Sequence, residues 1–150
     1  MALDDDIRKL ARISFFRAME NDALRLIAFG AETKILRAGD VLFRRGDKSN
    51  AGFIVLNGAI ALDEKGDGSP PSQVVRADAL LGEVAMLVET EWPATAMARE
   101  PSTVLKISRD LFHRVLREYP QSAQHVRAAV ADELRSFLRE LGESSVGRVE

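Results

Sequence analysis

Cysteine is absent from this 150-residue chain, which excludes a disulfide framework, a thiolate metal site and a cysteine nucleophile. Histidine is nearly absent. His113 and His125 stand twelve residues apart in the C-terminal third, with no carboxylate–histidine cluster around them, and read as helical surface residues. No Ser/His/Asp pattern, P-loop or GxGxxG occurs in a recognisable setting, so an enzyme is not expected. No apolar run is long enough to span a bilayer. Excess charge is lacking too: a net charge of −2 provides no overall field for nucleic acid or an anionic membrane. The start, Met1-Ala-Leu-Asp-Asp-Asp, is acidic where a signal peptide would be basic and then apolar, and the expectation is a cytoplasmic protein without membrane contact.

What is present is the balance of one soluble domain, 46% hydrophobic and 29% charged residues over a length that buries a single core. Residues 1–31 read as a helical segment. Asp4 to Asp6 favour a helix N-terminus, and Ile7, Leu10 and Ile13 share a face. Asn21 is the expected N-cap of a second helix carrying Leu24, Ile27 and Ala28, which Gly30 would end. From 32 to 107 short apolar runs alternate with turn residues: Thr33–Arg37, Val41–Phe43, Phe53–Leu56, Ala59–Leu62, Val74–Val75 and Thr103–Ile107. Asn57-Gly58 is a two-residue turn of the kind that closes a hairpin, and Gly66–Ser72 reads as an exposed loop. Many short strands at this spacing predict a closed β-roll or barrel.

The region 108–143 returns to helix. Ser108 is the expected N-cap of a helix lined by Leu111, Phe112, Val115, Leu116 and Tyr119, and Pro120 separates it from the next. That second helix carries Ala123, Val126, Val130, Leu134, Phe137 and Leu141 at steps of three and four, a stripe that could pack on its own domain but also suits a homodimer seam. Arg114, Arg117, Arg127, Arg135 and Arg139 alternate with acids as a solvated face.

The residues that carry chemistry are glycines leading to a short helix. Gly39, Gly46, Gly58 and Gly82 punctuate strands, and Gly82-Glu83-Val84-Ala85-Met86-Leu87 follows the tight run Ala79-Leu80-Leu81. A Gly-Glu opening onto helical residues exposes backbone N–H groups that suit a phosphate, and the Glu83 carboxylate could accept from a ribose hydroxyl.

Here the run from Ala38 to Gly58, with its three glycines, resembles the first strands of cyclic nucleotide-binding domains of the Crp/Fnr regulatory type. Leu81-Gly-Glu-Val-Ala-Met-Leu-Val-Glu-Thr-Glu-Trp-Pro-Ala-Thr-Ala-Met-Ala98 resembles that family's phosphate-binding cassette, placed at 82–95. The resemblance implies an α+β, mainly β fold: an eight-stranded double-stranded β-helix or jelly-roll barrel, with N-terminal helices and two C-terminal helices. It also implies a cyclic nucleotide, cAMP or cGMP, between roll and cassette. Gly82 and Glu83 match the Gly-Glu whose glutamate takes the ribose 2′-hydroxyl, with Val84 between them and Ala85, the small residue facing the ligand. Trp92 then stands where the family has the arginine that pairs with the cyclic phosphate, and Pro93 removes a backbone donor, before Ala94, Thr95 and Ala98 resume the pattern.

A charge-assisted hydrogen bond contributes about 1.5–3 kcal/mol, and an ion buried without its partner costs about 3–5 kcal/mol. A cyclic phosphate facing an indole should therefore bind on the order of 100- to 1,000-fold more weakly than one facing arginine. Arg99 lies about 23 Å along an extended strand from Trp92, out of reach, and Arg76, on the preceding strand side, is a candidate substitute with nothing further in the sequence to support it. Trp92 either stacks on a flat ligand or fills the vacated phosphate place. The residues after Leu141 do not suit a DNA-recognition helix, so direct nucleic-acid binding is not expected. The functional expectation is a non-enzymatic regulatory module that does not bind cAMP tightly, with a weak cyclic-nucleotide or other small-effector sensor, or a dimeric protein-interaction scaffold, as alternatives.

Overall fold

The computed structural model describes residues 2–65, 70–71 and 73–148, with the side chains of 2, 3, 133, 134, 136, 137 and 140–148 outside the description. The chain opens with α1 (Ala2–Arg12), the single turn α2 (Ser14–Arg17) and α3 (Asn21–Gly30). Asn21 is the first residue of α3, and Glu20, not Asn21, is its N-cap, with extended backbone. Gly30 is the last helical residue. Its missing side chain leaves room for Leu111, whose Cδ1 would stand 2.7 Å from a Cβ there.

Eight strands follow: β1 (Glu32–Leu36), β2 (Val41–Phe43), β3 (Ala51–Asn57), β4 (Ile60–Asp63), β5 (Gln73–Val75), β6 (Leu80–Leu81), β7 (Thr95–Ala98) and β8 (Ser102–Ser108). They form two antiparallel sheets, ordered β1-β8-β3-β6 and β2-β7-β4-β5. The architecture is thus a roll of two four-stranded sheets, and among the described residues no hydrogen-bonded ladder joins them into the closed barrel expected. Buried side chains from both sheets, among them Phe43, Phe53, Val55, Ile60 and Val104, fill the space between them.

Asn57-Gly58 does not close a hairpin. β3 pairs with β8 and β6 in one sheet, whereas β4 pairs with β5 and β7 in the other, so this turn carries the chain between sheets. Of the two residues only Gly58 has positive φ, at 92°. A Cβ there would collide with Ser102, whose buried hydroxyl accepts from Ala59 N–H at 3.1 Å and donates to Glu100 O at 2.8 Å. The loop expected at Gly66–Ser72 lies largely outside the described residues. Its Pro70 and Pro71 are exposed, and β4 and β5 on either side are paired.

A second core packs the helices on the outside of the β3/β8 sheet, where Phe15, Phe16 and Phe112 meet with centroids 5.2–6.2 Å apart. α4 (Arg109–Glu118) is capped by Ser108, whose Oγ accepts from Leu111 N–H at 3.1 Å. α5 (Pro120–Arg148) continues past the expected end near 143. Val126 is buried in its own domain's core, with Ala129 and Val130 packed beside it, whereas Leu138 is exposed. Leu134, Phe137 and Leu141 of the apolar stripe lie outside the described side chains. Among the described residues no helix is long and apolar enough to cross a membrane.

Candidate functional site

The cassette begins where β6 ends. Gly82 turns the chain with φ of 82°, a conformation that L side chains rarely adopt. A three-residue 3-10 turn, Val84–Met86, follows, with Met86 N–H donating to Gly82 O at 3.2 Å. Ala85 and Met86 are buried, and Val84 is exposed. The carbonyl side of this turn is held by α4. Arg109 Nε donates to Ala85 O at 2.9 Å, and its Nη2 donates to Ser49 O at 2.6 Å. One turn on, His113 Nε2 lies 2.7 Å from Leu87 O. A carbonyl oxygen only accepts, so that nitrogen carries the proton. His113 is therefore half-buried and engaged, not the free surface residue expected; His125 is exposed.

The strand-like return after the turn is pinned to the loop between β2 and β3. Ser49 N–H donates to Thr90 O at 2.7 Å, Trp92 N–H to Asp47 O at 2.9 Å, and Gly46 N–H to Trp92 O at 2.8 Å. Thr90 N–H donates to the buried Ser49 Oγ at 3.1 Å. This ladder fixes where the indole points. Trp92 is 7% exposed and lies flat on Phe43, with ring centroids 3.7 Å apart and planes 8° from parallel. Phe53 completes the cluster, 6.0 Å from the indole. The far edge of the indole abuts Gly82, where a Cβ would come within 2.6 Å of Cη2. Trp92 thus occupies the interior of the roll against its own domain.

Beside it remains a cleft of about 360 Å³. Gly82, Glu83, Val84, Ala85, Trp92, Pro93 and Ala94 all line it, so seven of the eight candidate residues are brought together. Thr95 is not among them. Its Oγ1 accepts from Arg45 N–H at 3.0 Å, and it lines a neighbouring depression instead. Phe43, Leu62 and Leu81 supply apolar walls, while Glu83 and Glu91 are the ionisable groups of the lining. Among the described residues no cation lines this cleft. Arg76 does not substitute for the missing arginine, since it pairs with Glu100 at 3.4 Å on the exterior. Arg44, Arg45 and Lys65 line the adjoining depression with Trp92 and Pro93. Sequence reasoning missed all three, because their proximity depends on pairing between segments some fifty residues apart. Among the described residues no group of three or more histidines or acids could hold a metal ion.

A two-sheet roll flanked by helices, with a Gly-Glu turn opening on its interior, defines a cyclic nucleotide-binding fold. The sequence profile described as "Cyclic nucleotide-binding domain" matches residues 33–119, more than half of the chain, and the chain belongs to that family. A cyclic nucleotide-binding-like protein from Brucella abortus is 39% identical, with a TM-score of 0.70 over 76% of this chain and 99% of that one. The N-terminal domain of a transcriptional regulator from Streptomyces coelicolor A3(2) shares the fold, with a TM-score of 0.79 at 24% identity over 91% of this chain and 94% of that one. Lysophospholipase nte1 of Neurospora crassa is 31% identical over 114 residues, which are 75% of this chain and only 8% of the fungal protein.

Proposed function

We propose that this chain is a non-enzymatic regulatory domain whose cleft responds to a small effector other than a tightly held cyclic nucleotide. The observation that carries the reading is the position of Trp92, stacked on Phe43 and pressed to Gly82 where the family's phosphate arginine would stand. An indole buried against two phenyl rings is held by dispersion and hydrophobic burial, and in place of a guanidinium it offers a phosphate no charge and a single N–H. Pro93 adds none, and the carboxylates of Glu83 and Glu91 on the lining repel an anion placed inside. Glu83 still lines the cleft where a ribose hydroxyl could reach it, so weak cyclic-nucleotide binding is the second reading.

Association is proposed through α5, as a homodimer seam. Support comes from the exposed Leu138 on the distal part of the helix and from the apolar groove that Leu116, Val126 and Val130 line at its base. The regulatory role and an intracellular setting follow the Crp/Fnr resemblance. The fungal relatives' lipase activity is not carried over, because the chain spans about 8% of their length.

Titration with cAMP and cGMP tests the reading, with the emission of Trp92, the single tryptophan, as the signal. A micromolar site that loses about 3–4 kcal/mol binds at roughly 0.1–1 mM, and that range is the expectation. Saturation at low micromolar concentration of either nucleotide contradicts it.

A further inference from the structure

The cation missing from the cleft is found at its rim. At Pro93 and Ala94 the apolar cleft meets two further depressions, and Arg45 and Lys65 line both of these. Leu62 is shared as well, joining the cleft's wall to the basic rim. Arg45 is fixed across this exit. Its N–H donates to Thr95 Oγ1 at 3.0 Å, and its guanidinium reaches Lys65 O at 3.4 Å. Among the described residues that line these two depressions, Arg44, Arg45 and Lys65 outnumber Glu64 and Glu91 by one charge.

This layout inverts the usual demand. A compact anion inside the cleft would meet Trp92, Glu83 and Glu91 and no cation. A ligand whose charge sits at the end of an apolar body would meet complementary surface at both ends. Its body would lie against Leu62, Leu81 and Val84, and its head would reach Arg45 and Lys65. One net positive charge suits a singly charged head, and an arginine fork with a lysine suits a carboxylate. At about 360 Å³ the cleft lies at the small end of ligand pockets, which run from roughly 300 to 1,000 Å³. It therefore fits one chain of medium length and not a two-chain lipid.

We propose that the effector is an amphipathic monocarboxylate, bound with its apolar chain in the cassette cleft and its carboxylate on Arg45 and Lys65. The proposal rests on the reading of Trp92 as the occupant of the phosphate place. It names the ligand class of that same cleft.

Decanoate below its micelle-forming concentration is the probe, with decanol as the uncharged chain and acetate as the head alone. The emission of Trp92 in the whole protein is the readout, at two salt concentrations. Decanoate is expected to saturate one site at least about tenfold more tightly than decanol, with acetate silent and the advantage reduced by salt. In Arg45→Gln/Lys65→Gln, whose side chains are exposed, decanoate should fall to the affinity of decanol while decanol binding and Tm stay as in wild type. Equal affinity for decanoate and decanol, no saturable change with decanoate, or unchanged decanoate binding in the double variant would each overturn the proposal. Micromolar cAMP binding by the wild type would instead remove the reading beneath it, so the two failures are told apart.

Discussion

The indole of Trp92 lies flat on the ring of Phe43, 3.7 Å between centroids and 8° between planes, inside the roll. Such a stack fills volume and cannot be withdrawn without leaving a hole. Trp92→Ala should therefore destabilise the domain by about 3–5 kcal/mol, the cost of emptying a large aromatic site that cannot fully collapse. Urea unfolding followed by circular dichroism measures this. A loss below about 1 kcal/mol would show that the indole is not part of the core.

Gly82 and Trp92 form the second constraint. At φ of 82°, with the indole 2.6 Å from a Cβ, Gly82→Ala meets both backbone strain and a clash. The strain alone costs about 1–2 kcal/mol, and the clash adds to it. In the background Trp92→Leu the same change should cost less, because the rigid far edge of the indole is gone. A double-mutant cycle on chemical denaturation reads the coupling, and strictly additive losses would deny the contact.

Arg109, the first residue of α4, bonds the cassette at Ala85 O and the loop between β2 and β3 at Ser49 O. Arg109→Ala is expected to cost about 2–3 kcal/mol and to speed amide exchange across residues 84–90, since hydrogen bonds from charged donors exceed neutral ones. Arg109→Lys should recover only part of the loss, because an ammonium cannot fork to two carbonyls as a guanidinium does. Full recovery by lysine would mean that one of the two bonds carries no weight.

How much of this was legible in the sequence depends on the range of the interaction involved. The Ser108 cap and strand Val41–Phe43 rest on local rules and emerged as read. Strand β7 escaped the periodic reading because its alternation is inverted: Ala96 and Ala98 point inward, while the larger Met97 is 41% exposed. β6 has two residues, too few for any pattern. Asn57-Gly58 carries hairpin chemistry, yet long-range pairing of β3 with β8 decided its use as a crossing between sheets. Within the site, seven of the eight residues named from the cassette share one cleft, because they come from one contiguous run. Arg45 and Lys65 were invisible as partners, since only the folded register sets Arg45 against Thr95 and Lys65. Arg76, named only as an unsupported candidate, is engaged elsewhere for the same reason, its partner Glu100 being twenty-four positions away.

The central claim is that Trp92 and Pro93 deprive the cassette of the guanidinium and the backbone N–H that would hold a cyclic phosphate. Its most direct measurement is the calorimetric affinity for cAMP of the wild type beside that of Trp92→Arg/Pro93→Ala, with folding of the double variant checked by circular dichroism. Restoring the guanidinium and the N–H should tighten binding on the order of 100-fold. A folded double variant that binds cAMP no more tightly than the wild type would contradict the account.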